Sequence, residues 1–438
     1  MVIRKTPTQI RSKFHDLIKE TAQNNHAFVR NPGKDFSRHR ICTFKDTVLN
    51  LLTMETHSLN RELANYYGLQ GRQAPTRSAF VQARQKLLPD TFLYLLRELN
   101  TLFPLKKKYK GLHILGCDGT DSNIPADKND LSSFIPYNSN NGGYYQFHTV
   151  VMYDLLEKRY IDAVIQPRRE MKESSACCCM VDRTPVEGKC LFIADRGFMS
   201  FNLLAHIQEK NHFYLFRIKD PTSDKSPFKS FSPLLVDDAE AVRSFVISRK
   251  RTCPPDTDNV AFKSLRSSIS FDFIPPNDKR SSYSLSFRLV RLTIGSSFEY
   301  LITNLPADSF PLLELKELYQ LRWRIETSFL FLKYGIAMNS FHCINRVSIL
   351  QEIFARLLLS NFISLVVSCV KLPFSGSKYF YNVSVSDAIY ICRRFLLLRS
   401  SNKVILAQLL KNTTPIRPGR SSPRNMRSQV LVSLQNRS

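Results

Sequence analysis

Leu112-His113-Ile114-Leu115-Gly116-Cys117-Asp118-Gly119-Thr120 is a short apolar run that delivers an aspartate into a glycine-containing turn. Its length fits a buried strand, and Cys190-Leu191-Phe192-Ile193-Ala194-Asp195-Arg196-Gly197-Phe198 has the same form. Open sheets bind ligands at such carboxyl ends. The neighbouring segments supply the rest of a sheet. Tyr144 to Tyr153 and Arg159 to Ile165 read as a hairpin, Glu173 to Asp182 and Asn202 to Lys210 as helices, and Phe213 to Lys219 as a strand. Three antiparallel strands, a helical crossover and a further strand with an acidic end are the order of an α/β, RNase H-like catalytic core. Asp118 and Asp195 are then expected side by side on neighbouring strands.

Working outward, residues 221–300 break this rhythm. Pro/Ser/Asp-rich turns separate β-type runs at Val242 to Ser248, Ser268 to Ile274, Ser282 to Thr293 and Ser297 to Thr303, which predicts an inserted β-rich subdomain. Helices are expected over Thr8 to Ala22, Thr43 to Met54, Ser58 to Tyr67, Arg77 to Leu87 and Asp90 to Leu102, with a basic, aromatic-bearing loop at 28–40. A helical DNA-binding domain and a structural helical cap both fit that pattern. Helical segments at about 345–372 and 384–411 predict a C-terminal layer or a dimer contact. The expected organisation is 1–108 N-terminal helical, 109–220 core, 221–300 insertion, 301–340 core completion and 341–438 C-terminal helices with a basic tail.

With 438 residues and 43% apolar content the chain can bury a large core, which excludes a disordered or fibrous protein. Lys plus Arg outnumber Asp plus Glu by 62 to 37, a formal charge of +25. A polyanion is the partner this favours, because each neutralised phosphate releases condensed counterions. Nucleic acid is the expected partner, and an anionic membrane surface is the weaker rival. From Ser401 to Ser438 there are seven Lys or Arg and no Asp or Glu, so the tail is expected to be mobile and to lie on phosphates. Ten cysteines include no Cys-x-x-Cys pair, and no secretory signal opens the chain. Reduced thiols and a cytoplasmic location are expected. The apolar stretch Leu357 to Val370 is shorter than the roughly 20 residues of a bilayer span and reads as a core helix.

Residues 319–333 read Tyr-Gln-Leu-Arg-Trp-Arg-Ile-Glu-Thr-Ser-Phe-Leu-Phe-Leu-Lys. At roughly 100° per residue, one continuous helix would bring Tyr319, Arg322, Glu326 and Lys333 within about 60° of one another. A solvated polar stripe is the plain account of such a face. One carboxylate between two cations and a phenol also suits a metal and a phosphate chain, and two strand-end aspartates elsewhere favour that account. Asp118, Asp195 and Glu326 would form one oxygen-donor site of the kind Mg²⁺ or Mn²⁺ prefers. A pair of ions about 4 Å apart can clamp the attacking and leaving oxygens of an in-line displacement.

The Tyr-x2-Arg-x3-Glu-x6-Lys spacing at 319, 322, 326 and 333, preceded by Tyr300-Leu301-Ile302-Thr303-Asn304-Leu305-Pro306, resembles the DDE transposases of bacterial insertion sequences, in the group with the Tyr-Arg-Glu-Lys signature (insertion sequence family four). The Asp-Gly-Thr and Ala-Asp-Arg-Gly-Phe segments, Asp35-Phe36-Ser37-Arg38 and Ser78-Ala79-Phe80-x2-Ala83-Arg84 share the resemblance, which covers about 30–400. It implies an RNase H-like catalytic domain with a β-rich insertion before the catalytic Glu326, and Asp118, Asp195 and Glu326 as ligands of Mg²⁺ or Mn²⁺. Tyr319, Arg322 and Lys333 would hold phosphates at the transposon end, and an aromatic of the insertion would stack on a displaced base. Phe298 is the candidate for that role, with core packing as the competing account. Cut-and-paste DNA transposition follows, by hydrolysis at the element's ends and strand transfer to target DNA. Hairpin formation, double-stranded DNA as partner, a homodimer in a synaptic complex and a nucleoid-associated bacterial setting are further implications.

Asp121, Asp127 and Asp130 follow Asp118 in a Pro- and Asn-containing loop and are expected to be solvated, with Asp121 as a ligand the alternative; His148 approaches the acids or is a satisfied core histidine; Arg196 meets DNA or a carboxylate. A structure-selective nuclease with the same core, and a non-catalytic DNA-binding regulator of transposition, stay open as rival functions. The first would cleave without joining strands, and the second would bind without metal-dependent cleavage.

Overall fold

A computed structural model describes residues 5–38, 40–137, 142–223, 226, 228, 239–251, 261–372 and 380–416. The chain opens with helices α1 (Pro7–Gln23), α2 (Phe44–Thr53), α3 (Leu59–Gly68), α4 (Arg77–Arg84) and α5 (Asp90–Leu102). Side-chain caps fix several starts: Thr6 forms a capping box with Gln9, and Thr43 and Thr76 accept from the amides of Asp46 and Ala79. The core follows as β1 (His113–Ile124), β2 (Phe134–Pro136), β3 (Gly143–Asp154), β4 (Arg159–Pro167), α6 (Glu173–Asp182), β5 (Cys190–Ala194), α7 (Phe201–Glu209) and β6 (Phe213–Ile218). Next come β7 (Ala239–Ser248), β8 (Ala261–Ser264), β9 (Ser282–Ile294), β10 (Ser297–Thr303), α8 (Leu312–Gln320) and α9 (Trp323–Leu330). The described chain closes with α10 (Arg346–Val367), β11 (Phe380–Val383), α11 (Val385–Leu397), α12 (Asn402–Lys411) and β12 (Thr413–Ile416).

Among the described residues one mixed, ten-stranded sheet runs β2-β3-β1-β5-β6-β10-β9-β7-β8, with β4 also on β3. β1 is antiparallel to β3 and parallel to β5, and β5 is parallel to β6. The strands of the 221–300 region therefore continue the same sheet beyond β6 through β10. Their inner residues Phe245, Leu285, Phe287 and Leu289 join the core that also holds Phe192 and Phe216. Ser268 to Ile274, read from the sequence as a strand, has no ladder; Pro275 and Pro276 follow it, and Asp272 is tied to Asn202 of α7 by the 2.8 Å bond from its backbone amide.

Alternation along the strands builds a core on each face of this sheet. Ile114, Leu191 and Ile193 join α1 to α5 and α8 to α11 on one side. Leu115, Cys117, Cys190, Phe192 and Ala194 join α6 and α7 on the other. The N-terminal helices share their core with α10, whose Leu357, Leu358 and Phe362 are buried. By length and composition α10 could cross a membrane, but 89% of its most apolar window lies inside the protein, as expected for a core helix. The second C-terminal helical stretch divides into α11 and α12, the latter capped by Ser401. Of the tail expected to be mobile, residues 402–411 are helical and β12 pairs with β11; residues 417–438 lie outside the described residues.

Candidate active site

Two structural facts set the position of the aspartates. The parallel ladder between β1 and β5 ends at Cys117 opposite Ala194, so Asp118 and Asp195 are the next residues on adjacent strands. By alternation both follow Ile114 and Ile193 onto the face covered by α9. Asp118 itself does not stand at a strand end, as the sequence suggested. β1 continues through Gly119 and Thr120 to Ile124, because the long β3 supplies antiparallel partners for these residues after β5 has stopped. Only β5 ends at its acid, where Asp195 caps the following turn by accepting from the Arg196 amide at 2.8 Å. The β1–β5 ladder thus stops just before the two acids, at the carboxyl ends of parallel strands, where open sheets hold ligands.

Helix α9 brings the third acid. The segment 319–333 is not one continuous helix: α8 stops at Gln320, residues 321 and 322 form a tight turn, and residues 331–335 wind as a π-helix. Bonds from Arg322 N to Tyr319 O and from Ile325 N to Arg322 O, each 3.0 Å, show the three-residue spacing of the tightened turn. Tyr319, Arg322, Glu326 and Lys333 therefore do not share one continuous helix. Tyr319 Oη lies 3.4 Å from Asp195 Oδ1. Arg322 Nη1 is 3.0 Å from Glu326 Oε1 and 3.8 Å from Asp118 Oδ2. Lys333 is half-buried, with Asp121 as the charge that offsets its burial.

Electrostatics bind this group together. Burial pushes the Asp118 carboxyl up to about 6; Glu326 and Asp195 add to the rise, while the Gly119 amide and Arg322 oppose it. Arg322 is 4% exposed, and burial works against its charge, but Tyr319, Asp195, Glu326 and Asp118 together more than restore it. The donor chemistry fits a divalent cation, since three carboxylates are hard oxygen ligands. Among the described residues no three acidic, His or Cys side chains are already gathered at ligand spacing. The Arg322 guanidinium lies between Asp118 and Glu326 and supplies the positive charge there.

A cavity of about 570 Å³ opens beside Asp195, lined by Arg196, Arg217, Lys219, Phe298, Glu299 and Tyr300. Phe298 is 44% exposed on β10, so it is a surface residue and not core packing; the Arg291 guanidinium carbon sits 3.6 Å from its ring centre. Arg217 was missed from the sequence. Its Nε is 3.5 Å from Asp195 Oδ1 and its Nη1 is 3.1 Å from Glu299 Oε1. An arginine inside the apolar run of β6 was the available signal. By alternation Asp121 falls on the face of β1 opposite Asp118 and is engaged by His148 Nδ1 at 2.6 Å; His148 is therefore held among buried charges, with its Nε2 3.0 Å from Glu173 Oε1. Asp130 is held by Arg346, and Arg196 is exposed at the cavity mouth.

Residues 113–362 match the family model described as the transposase DDE domain. No curated protein matches the chain. Among solved structures the chain is similar to the piggyBac transposase in a cryo-EM structure of its synaptic complex with hairpin DNA. That likeness has 12% identity, covers 95% of this chain and 87% of that one, and gives a TM-score of 0.46.

Proposed function

The chain belongs to the transposase DDE domain family, and from that premise we propose that it is a cut-and-paste DNA transposase of the insertion-sequence group with the Tyr-Arg-Glu-Lys signature. The observation that carries this reading is the convergence of Asp118, Asp195 and Glu326, with Tyr319 and Arg322 among them, on one face of the sheet where the β1–β5 ladder stops. The RNase H-like strand order, in which antiparallel β3 and parallel β5 flank β1, supports it.

Asp118, Asp195 and Glu326 would hold the Mg²⁺ or Mn²⁺ ions. Bound there, the ions would supply Lewis-acid activation and charge neutralisation for phosphodiester hydrolysis and transesterification. The chain's own residues prepare this step. Arg322, which contacts both Asp118 and Glu326, would turn its planar donors to a phosphate once the acids hold the ions. Tyr319 orients Asp195 through its hydroxyl and then donates to a DNA oxygen, and Lys333 meets the backbone as a second cation. Phe298, at the mouth of the cavity, offers an exposed ring to a displaced base. Water attacks the phosphodiester at the element's end and displaces the 3′-oxygen, and the freed 3′-hydroxyl then attacks a target phosphodiester, forming the new P–O bond as the target strand's own 3′-oxygen leaves. Two ends brought together call for a homodimer on DNA, and the bacterial nucleoid is the proposed setting.

The test is incubation of the purified protein with a labelled duplex carrying the element's end, with and without Mg²⁺, beside Asp195→Ala. Metal-dependent cleavage at the end, absent from the variant, is the expected result. Arg322→Ala should slow cleavage by roughly 10²–10³-fold if it stabilises phosphorane charge. Tight binding by wild type with no cleavage would overturn the catalytic reading in favour of a DNA-binding regulator. Cleavage that never leads to joined products would mark a nuclease.

A further inference from the structure

Beyond Cys117 and Ala194 no ladder bond joins β1 to β5, so the sheet itself does not fix the separation of Asp118 and Asp195. Glu173, the first residue of α6, spans this gap from the opposite face of the sheet. A side-chain carbon placed on Gly119 would lie 2.8 Å from Glu173 Oε1 and 2.4 Å from His148 Nε2. One placed on Gly197 would lie 3.0 Å from Glu173 Oε2. The two oxygens of one carboxylate are therefore pressed against the backbone one residue past Asp118 and two residues past Asp195. Glycine at both positions is what admits it, since any larger residue would push the carboxylate away.

Glu173 is in turn held in place. His148 Nε2 lies 3.0 Å from Glu173 Oε1, a charge contact off the axis of a straight hydrogen bond. The other ring nitrogen, Nδ1, is 2.6 Å from Asp121 Oδ1, and Arg168 Nε is 3.2 Å from the same oxygen. His148 faces Asp121 across the β1–β3 ladder, so the chain of charges is anchored in two strands. The His148 side chain is 5% exposed and that of Glu173 22%, which leaves the carboxylate little freedom to swing away. None of these groups lies on the face where the three acids meet α9.

We propose that Glu173, braced by His148 and Asp121, is a positioning residue that sets the spacing of Asp118 and Asp195 from beneath the sheet. The proposal rests on the function given above. Groups one step removed from metal ligands commonly control affinity and rate through such orientation.

Four readouts test it on the full-length protein: Mn²⁺ binding followed by loss of the free-ion paramagnetic signal, affinity for end DNA, single-turnover cleavage at saturating DNA, and melting temperature. Glu173→Ala is expected to weaken Mn²⁺ binding and slow cleavage by about 10–100-fold with DNA affinity close to wild type; His148 keeps Asp121 as its partner, so the melting temperature falls only a little. Gly197→Ala should impair wild type and add little in the Glu173→Ala background, because the atom it strikes is gone. A purely structural role would lower the melting temperature and DNA affinity along with the rate, and would overturn the proposal. So would folded Glu173→Ala and Glu173→Gln proteins with wild-type Mn²⁺ affinity and rate. Should Glu173→Ala fail to fold, Glu173→Gln and Gly197→Ala decide by the same readouts. A wild type that binds no Mn²⁺ would bring down the function as well, whereas a binding, cleaving wild type with unaltered variants removes the positioning role alone.

Discussion

Burial pushes the Asp118 carboxyl up to about 6 from an ordinary 3.8, with the neighbouring acids adding to the rise. A raised carboxyl binds its proton more tightly in the folded state, so stability declines as pH rises from about 4 to 6, and the full penalty stands above 6. Asp118→Asn removes the charge and keeps the shape. It should raise stability at pH 7–8 by about 2–3 kcal/mol at most and abolish cleavage, with the stability gain vanishing below about pH 4. Melting curves of both proteins across this range check the sign; an unchanged melting temperature at pH 8 would mean that Arg322 already cancels the repulsion. The three acids of the proposed site stand out in the sequence because an acid after an apolar run and an acid within a polar helical stripe are local signals. Glu173 was not, because an acidic residue in the first turn of a helix is commonplace. Its contact with two glycines exists only after β1, β5 and α6 have come together.

At the scale of elements, periodicity placed the helices and strands of the N-terminal region and core close to where they fold. It could not show that α8 and α9 are separated by a tightened turn, since the apolar spacing continues through residues 321 and 322. Nor could it show how α4 docks. Arg84, part of the Ser78-to-Arg84 stretch, is buried against α10, with Nη1 3.0 Å from Glu352 Oε1 and both side chains 1% exposed. Arg84 Nη2 donates to Ser348 O at 3.0 Å, and Gln351 Nε2 donates to Arg84 O at 2.9 Å. His342 Nδ1 adds a 3.1 Å contact to Glu352 Oε2. Breaking such a pair strands a buried charge. Glu352→Ala should therefore cost about 3–5 kcal/mol, and the double variant Arg84→Met with Glu352→Met should recover much of the loss. Thermal unfolding of the two variants checks this; a double variant no more stable than Glu352→Ala would show that the pair's remaining hydrogen bonds matter more than its charge.

The molecule as a whole carries +25, and its function as proposed places that charge against phosphates. If about six phosphates are neutralised, the logarithm of DNA affinity should fall with the logarithm of salt concentration at a slope near −5. Lys333→Ala should reduce that slope by about 1 and weaken binding to unrelated sequences equally. Titrations at several salt concentrations measure both; a slope near zero would exclude backbone contacts as the source of affinity. Composition, charge, most strand and helix types, and the choice of Asp118, Asp195, Glu326, Tyr319, Arg322 and Lys333 as the proposed site came from the sequence alone, because each depends on residue type and short-range spacing. The merging of the 221–300 strands into one sheet, the continuation of β1 past Asp118, the placement of Arg217 beside Asp195 and the bracing of both aspartates by Glu173 were decided only by the tertiary structure. Each of these depends on which strand finds which partner, and that choice is made by contacts between residues far apart in the chain.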